Sequence, residues 1–197
     1  WVVQAVGRRP AAVETFPFDI LAAPPGALRA IVERSDCDRV FHLAGTTSDA
    51  GDAIDRVNVG FAEALLDAAA HASRRPGVVL AGTAAEYGEM PASALPARED
   101  QPCRPATRYG ATKLRQTELG LAAAAMGLTV HLPRMFNVIG PGMRPHLGLG
   151  RFARDIAALG RAGGVLTTGP LVARRDFVAV GEAVRALMRL SGLRQAA

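Results

Sequence analysis

The sequence predicts an α/β fold built on a doubly wound parallel sheet, and two observations carry that expectation. Short apolar runs alternate along the chain with segments whose apolar residues recur at helical spacing, and the first runs end at Gly or at Gly followed by Thr. Alternation of that kind places parallel strands between helices on both faces. With 197 residues and 49% hydrophobic content, the chain has enough apolar material for one such core.

Each element follows in order. WVVQAV at 1–6 ends at Gly7, and RVFHLA at 39–44 ends at Gly45 and Thr46; both read as buried strands. Between them, PPGALRAIVERSDCD opens on prolines and then spaces Leu28, Ile31 and Val32 as a helix does. Residues 53–72 place Ile54, Val57, Phe61, Leu65 and Ala68 on one helical face, and the next strand follows at 78–81. A Pro-rich loop at 91–105 leads to a helix over 107–126 and then to the strand LTVHLPRMF. Beyond Asn137 the chain loosens into VIGPGMRPHLGLG, followed by a helix over 150–161, the segment GGVLTTGPLVARRDFVAV, and a closing helix over 181–190 before Gly192. No repeat, low-complexity tract or linker interrupts this order, so residues 1–197 read as one domain.

Composition narrows the function classes. The net charge of +5 comes from 22 arginines and one lysine against 18 acidic residues, and the arginines are scattered rather than gathered in a stripe, which argues against nucleic acid. A mild positive excess fits anionic small molecules, because arginine presents a forked planar donor set to phosphate; a plain bias toward arginine explains it equally well. No apolar run approaches the ~20 residues of a membrane helix, and the start lacks the layout of a signal peptide. Cys37 and Cys103 are isolated and show no ligand spacing. These features predict a cytoplasmic protein without a membrane segment. His42 reads as a core residue of its strand, and His71, His131 and His146 show no ligand spacing, so no metal is expected.

The strongest chemical signal is Tyr109-Gly110-Ala111-Thr112-Lys113, which puts a phenol and the only lysine four residues apart on one face of a helix. A phenol with an ordinary pKa near ~10 is a poor acid or base at neutral pH, and an adjacent ammonium is expected to lower that value. Tyr109 then becomes a usable proton donor or acceptor. Alone, the pair reads equally as a partly exposed helical couple. Its surroundings argue otherwise: upstream, VVLAG runs into Thr83-Ala84-Ala85-Glu86-Tyr87-Gly88, placing a hydroxyl at a strand's carboxyl end, where open parallel sheets bind ligands. Downstream, a strand runs into Pro133-Arg134-Met135-Phe136-Asn137.

With VFHLAG at 40–45, RVNVGFAEALLDAA at 56–69, the Thr83 strand, YGATK, PRMFNVIGPG at 133–142 and RRDFVAV at 174–180, the chain resembles the extended short-chain dehydrogenases, the NAD-dependent epimerase/dehydratase family. The resemblance implies a Rossmann-like sheet, and a hydride transferred between a nicotinamide cofactor and a carbon of a nucleotide-diphosphate sugar. It makes Thr83 the hydroxyl that bonds the reacting sugar oxygen, Tyr109 the general acid/base, and Lys113 the group that tunes Tyr109 and holds the nicotinamide ribose. Asp19 and Ile20 match the pair beside the adenine, and Leu43, Ala44 and Gly45 the turn beneath the dinucleotide. Phe136 falls on the cofactor side, Asn137 on the substrate, and Arg175 on the diphosphate, with 138–175 contributing to the substrate side. The residues leave other readings open: Asp19 as the start of a turn, Asn58 as a brace of the sheet, Arg175 as a partner of Asp176 or Glu182, and Tyr87 as packing.

The family's glycine-rich turn between first strand and first helix does not occur here, and WVVQAV is similar to the second strand. The expectation is therefore a fold lacking its first βα unit and most of its C-terminal substrate-binding part, either as a piece of a longer protein or as a natural remnant. Arg8 and Arg9 stand where an NAD enzyme usually has an acid, which predicts NADP(H) over NAD(H). Ala84 and Ala85 occupy the places that carry acids in family dehydratases, leaving a reductase or an epimerase. The stretch from FNVIGPG to RRDFVAV is most similar to reductases of GDP-4-keto-6-deoxy-mannose; a 4-epimerase and a non-catalytic scaffold are the alternatives. A homodimer through the helices at 53–72 and 107–126 is implied by the resemblance.

Overall fold

The computed structural model describes residues 2–6, 13–24, 26–48, 51–145, 147–169, 171–172 and 174–193. Their contacts form two units, Trp1–Met135 with Leu187–Ala197, and Phe136–Ala186. In the first unit, β1 (Val2–Val6) pairs antiparallel with β2 (Val13–Pro17), with Val2 opposite Pro17 and Val6 opposite Val13. This corrects the expectation of a parallel strand at 1–6 leading straight to a helix. Only residues 7–12 separate the two strands, and a parallel crossover needs about a dozen residues or more.

α1 (Ala27–Ser35) buries Leu28 and Val32. β3 (Arg39–His42) follows, and then a run of helix in three parts: α2 (Ala53–Asp55), a π-helical turn over Arg56–Gly60, and α3 (Phe61–His71). β4 (Gly77–Leu80) is buried along its whole length and lies between β3 and β6 (Val130–His131), parallel to both. After Ala81, β5 (Gly82–Thr83) pairs in parallel with β7 (Arg134–Met135), so the two rows of strand continue past a break at Leu132-Pro133. Proline has no N–H to give a ladder, which accounts for the break. α4 (Arg108–Ala125) starts where the Thr107 side chain accepts the N–H of Gly110 at 3.0 Å, and its chain turns away at Gly127, whose φ is +85°. Leu28 and Val32, Leu65 and Leu66, Val78 and Leu80, and Val130 join one apolar core.

Among the described residues the first unit therefore carries a hairpin, a three-stranded parallel sheet and a two-stranded parallel pair. The parallel pairs with helices between them bear out the α/β reading, and the one doubly wound sheet expected is divided, among the described residues, into these pieces. In the second unit, β8 (Asn137–Ile139) pairs in parallel with β9 (Phe177–Ala179), with α5 (Gly148–Leu159) between them in the chain; α6 (Val180–Ser191) follows directly, its residues from Leu187 belonging to the first unit.

Candidate active site

β5 ends at Thr83, and the chain folds at once into a single 3-10 turn, Ala84–Glu86. Thr83 and Glu86 cap that turn reciprocally: the Thr83 hydroxyl accepts the N–H of Ala85 at 3.3 Å, and Glu86 Oε1 accepts the N–H of Thr83 at 2.8 Å. The first turn of α4 packs on this turn because residue 110 is glycine; a Cβ there would stand 2.5 Å from the carbonyl oxygen of Ala85. That close approach brings Tyr109, half-buried, near enough to Thr83 for the Thr83 side chain to act on its pKa. Backbone packing thus sets the two predicted catalytic hydroxyls side by side.

Lys113 is buried one turn further along α4. Its Nζ donates to Gln116 Oε1 at 2.6 Å, and Gln116 Nε2 donates to the carbonyl of Ala81 at 3.1 Å, which ties the lysine to the end of β4. Burial lowers its pKa from 10.5 to about 8, against a smaller raising effect of Glu86. Tyr109 moves the other way: burial raises it above the ordinary value, the neighbouring Thr83 side chain opposes this, and Glu86 adds to it. The expectation that the ammonium lowers Tyr109 is not what the structure gives, since desolvation is the largest effect on the phenol and the lysine is directed at Gln116. Tyr109 is therefore a protonated phenol at neutral pH, suited to giving a proton.

The residues expected at the cofactor divide into three groups. Leu43, Ala44 and Gly45 follow β3 at its carboxyl end, and Leu43 is 62% exposed, an uncovered apolar side chain at the edge where such sheets receive ligands. Asn58 anchors that edge: its Oδ1 accepts the N–H of Thr46 at 2.9 Å, and its Nδ2 donates to the Thr46 carbonyl at 2.9 Å and to Thr112 Oγ1 of α4 at 3.0 Å. An open apolar edge held rigidly on the unit that carries Lys113 fits a nicotinamide dinucleotide. Asp19 is exposed and its Oδ1 accepts the N–H of Leu21 at 2.9 Å, opening the turn that leads toward α1, with Ile20 half-buried beside it. Arg8 and Arg9 lie outside the described residues.

In the second unit Phe136 is half-buried and Asn137 is exposed, its Nδ2 donating to the Asp176 carbonyl at 2.8 Å across the β8–β9 pair. Arg175 is exposed and its Nη1 donates to the Arg174 carbonyl at 3.1 Å; among the described residues no ion pair to Asp176 or Glu182 occurs.

Sequence reasoning missed the polar groups beneath these side chains. Glu86, wholly buried, accepts from Thr83, from Thr117 Oγ1 at 3.0 Å and from Arg134 Nε at 3.0 Å. Arg134 also reaches Tyr87 Oη at 3.1 Å and stacks on its ring, so Tyr87 packs beside the site. The Thr-x-x-Glu spacing of a capping box was the available signal for Glu86. His42, buried against Phe61, has its pKa pushed down to about 3 by burial, with a smaller push from Lys113, and is neutral.

The description "NAD dependent epimerase/dehydratase family" matches residues 4–195. That match takes in nearly all of the described residues, and the expectation of a shortened Rossmann-like fold is corrected to a Rossmann-like parallel sheet with helices flanking it in both the N- and C-terminal regions. The dTDP-6-deoxy-L-talose 4-dehydrogenase (NAD(P)(+)) of Kitasatospora kifunensis is 32% identical over 91% of this chain and 57% of its own length. GDP-6-deoxy-D-mannose reductase of Pseudomonas aeruginosa is 33% identical over 53% of this chain and 35% of its own. The structure of MoeE5 in complex with UDP-glucuronic acid and NAD has a TM-score of 0.74 and 30% identity, covering 91% of this chain and 59% of that one. The chain thus spans less than two thirds of the length of these relatives. Similar solved structures are held with NAD more often than with NADPH, which overturns the expectation of NADP(H) drawn from Arg8 and Arg9. Among the described residues no helix is long and apolar enough to cross a membrane.

Proposed function

The chain belongs to the NAD dependent epimerase/dehydratase family, and on that premise we propose that it acts as an NAD(H)-dependent oxidoreductase on a nucleotide-diphosphate sugar, reducing the 4-keto group of a 6-deoxy sugar. The observation that carries the reading is the grouping of half-buried Thr83 and Tyr109 with buried Lys113, in which desolvation raises the Tyr109 pKa. A ketone gaining a hydride at carbon needs a proton at oxygen, and a phenol that holds its proton at neutral pH is the right donor. Thr83 orients the sugar oxygen by hydrogen bonding while Tyr109 gives up its proton to it. Lys113, about 8 in pKa and so largely charged at neutral pH, holds the nicotinamide ribose and steadies the phenolate that remains. When bound, the cofactor would supply the hydride, and Leu43, Ala44 and Gly45 would help to hold it. Arg175 takes the diphosphate with its exposed guanidinium, and Asn137 the sugar.

The relatives support carbon 4 and the 6-deoxy class, since one is a 6-deoxy-talose 4-dehydrogenase and another a 6-deoxy-mannose reductase. Ala84 and Ala85 leave no acid for elimination beside Thr83. In this reading residues 1–197 serve as one nucleotide-binding domain that works as a homodimer in a reducing compartment, in keeping with the free thiols of Cys37 and Cys103. The test is NADH consumption with GDP- and dTDP-linked 4-keto-6-deoxy sugars. Stoichiometric oxidation of NADH with formation of a 6-deoxy sugar supports reduction. Interconversion of 4-hydroxy epimers with no net consumption of cofactor replaces it with epimerisation.

A further inference from the structure

Glu86 has no exposed surface and takes no part in the transfers just described, yet it ties together three elements of the catalytic cluster. Its Oε1 accepts the backbone N–H of Thr83 at the end of β5; its Oε2 accepts Thr117 Oγ1 of α4 and Nε of Arg134 of β7. Space for the carboxylate exists because residue 82 is glycine, where a Cβ would stand 2.5 Å from Oε1. A buried carboxylate is costly unless paired and fully hydrogen-bonded, and Thr83 could be capped more cheaply by a neutral side chain.

We propose that Glu86 is a positioning residue for the proton transfer, locking the Thr83 backbone against α4 so that the Thr83 and Tyr109 hydroxyls stay within reach of one another. This rests on the reading of Tyr109 as the proton donor. The geometry gives the carboxylate control over both ends of the pair: it grips Thr83 directly, and it grips α4 through Thr117, two turns along the helix from Tyr109. As a fixed anion it acts on its neighbours too. The titratable and charged groups that face it are Arg134 of β7, Tyr109 and Lys113 of α4, and Cys103 of the loop before α4; it raises Tyr109 and Cys103 and supports the charge on Lys113. Burial is the larger cause of the raised phenol, and Glu86 adds to it.

The experiment separates charge from reach. Glu86→Gln keeps an acceptor for the Thr83 N–H and removes the charge; Glu86→Asp keeps the charge and withdraws it by one methylene. Tyr87 and Tyr109 are the only tyrosines, so tyrosinate absorbance during titration, taken as the difference from the matching Tyr109→Phe protein, reads Tyr109 without turnover. The Tyr109 midpoint is expected to fall in Glu86→Gln and to stay raised in Glu86→Asp. In the aspartate variant kcat falls roughly tenfold or more, while KM for NADH stays within about twofold, since a ~1 Å misplacement costs up to about a hundredfold. Where the stranded guanidinium of Arg134 prevents Glu86→Gln from folding, Glu86→Gln with Arg134→Gln removes both charges and is read in the same way. An unmoved Tyr109 midpoint in the folded charge-removing variant, or an unchanged kcat in Glu86→Asp, overturns the proposal. A midpoint that moves while the unaltered protein turns over no 4-keto sugar nucleotide overturns the substrate reading and leaves the positioning role standing.

Discussion

The cluster at Thr83, Tyr109 and Lys113 and the pair Asn137 and Arg175 are built in opposite ways. In the first, the side chains rest on buried polar groups: Glu86 on the Thr83 amide, Gln116 on Lys113, Thr112 and Asn58 behind the loop at Thr46. In the second, the side chains are exposed and, among the described residues, bonded to backbone carbonyls. The contrast follows from the tasks proposed for them. Proton and hydride transfer require preorganised groups whose pKa values are set by desolvation, and both Tyr109 and Lys113 are displaced mainly by burial. A diphosphate is gripped by a guanidinium that stays charged and hydrated until the ligand arrives.

Four expected outcomes sharpen or break that comparison. Tyr109→Phe removes the proton donor and should lower kcat by about 10²–10⁴-fold with the thermal midpoint little changed, as steady-state kinetics with matched unfolding curves would check. Arg175→Ala should raise KM for the sugar nucleotide tenfold or more, from about 1.5–3 kcal/mol for a hydrogen bond to a charged group, and leave kcat and the Tyr109 titration where they are. Gly110→Ala forces a methyl against the Ala85 carbonyl and should cost about 1–3 kcal/mol in urea unfolding, with loss of turnover because α4 and Thr83 separate.

The smallest effect is one of pH. Lys113 carries its proton below about pH 8 and sheds it above, so affinity for NADH should be full at low pH and decline as pH rises through about 8. The stability linkage has the opposite sign. The pKa in the fold lies below the unfolded 10.5, so this lysine's contribution favours folding most above 10.5 and is lost as pH falls through about 8. Calorimetric binding across that range, compared with Lys113→Met, checks both.

Much of this was legible in the sequence. Apolar runs located β3, β4 and the helices at 53–71 and 108–125 to within a residue or two, and the helix at 27–35 to within three, because each is long enough to show its period. The spacing of Tyr109 and Lys113 and the strand end at Thr83 located the groups proposed to react. What stayed hidden depends on pairing between distant segments. β2, β8 and β9 are short, and their partners are set by contacts that no local pattern displays. The Glu86–Arg134 pair exists because β5 lies beside β7, 48 residues apart in the chain. The direction of the Tyr109 shift was misread for a related reason: spacing shows that Lys113 is near, but only the fold shows that its Nζ is directed at Gln116 and that water is excluded.

The most direct test of the central claim is single-turnover transfer from NADH deuterated on the nicotinamide to a 4-keto-6-deoxy sugar nucleotide, run beside Tyr109→Phe. The account predicts deuterium on carbon 4 of the product sugar, one NADH consumed per sugar reduced, and near-complete loss of the signal in the phenylalanine variant. Product formed without deuterium, or formed equally well without the Tyr109 hydroxyl, would contradict it.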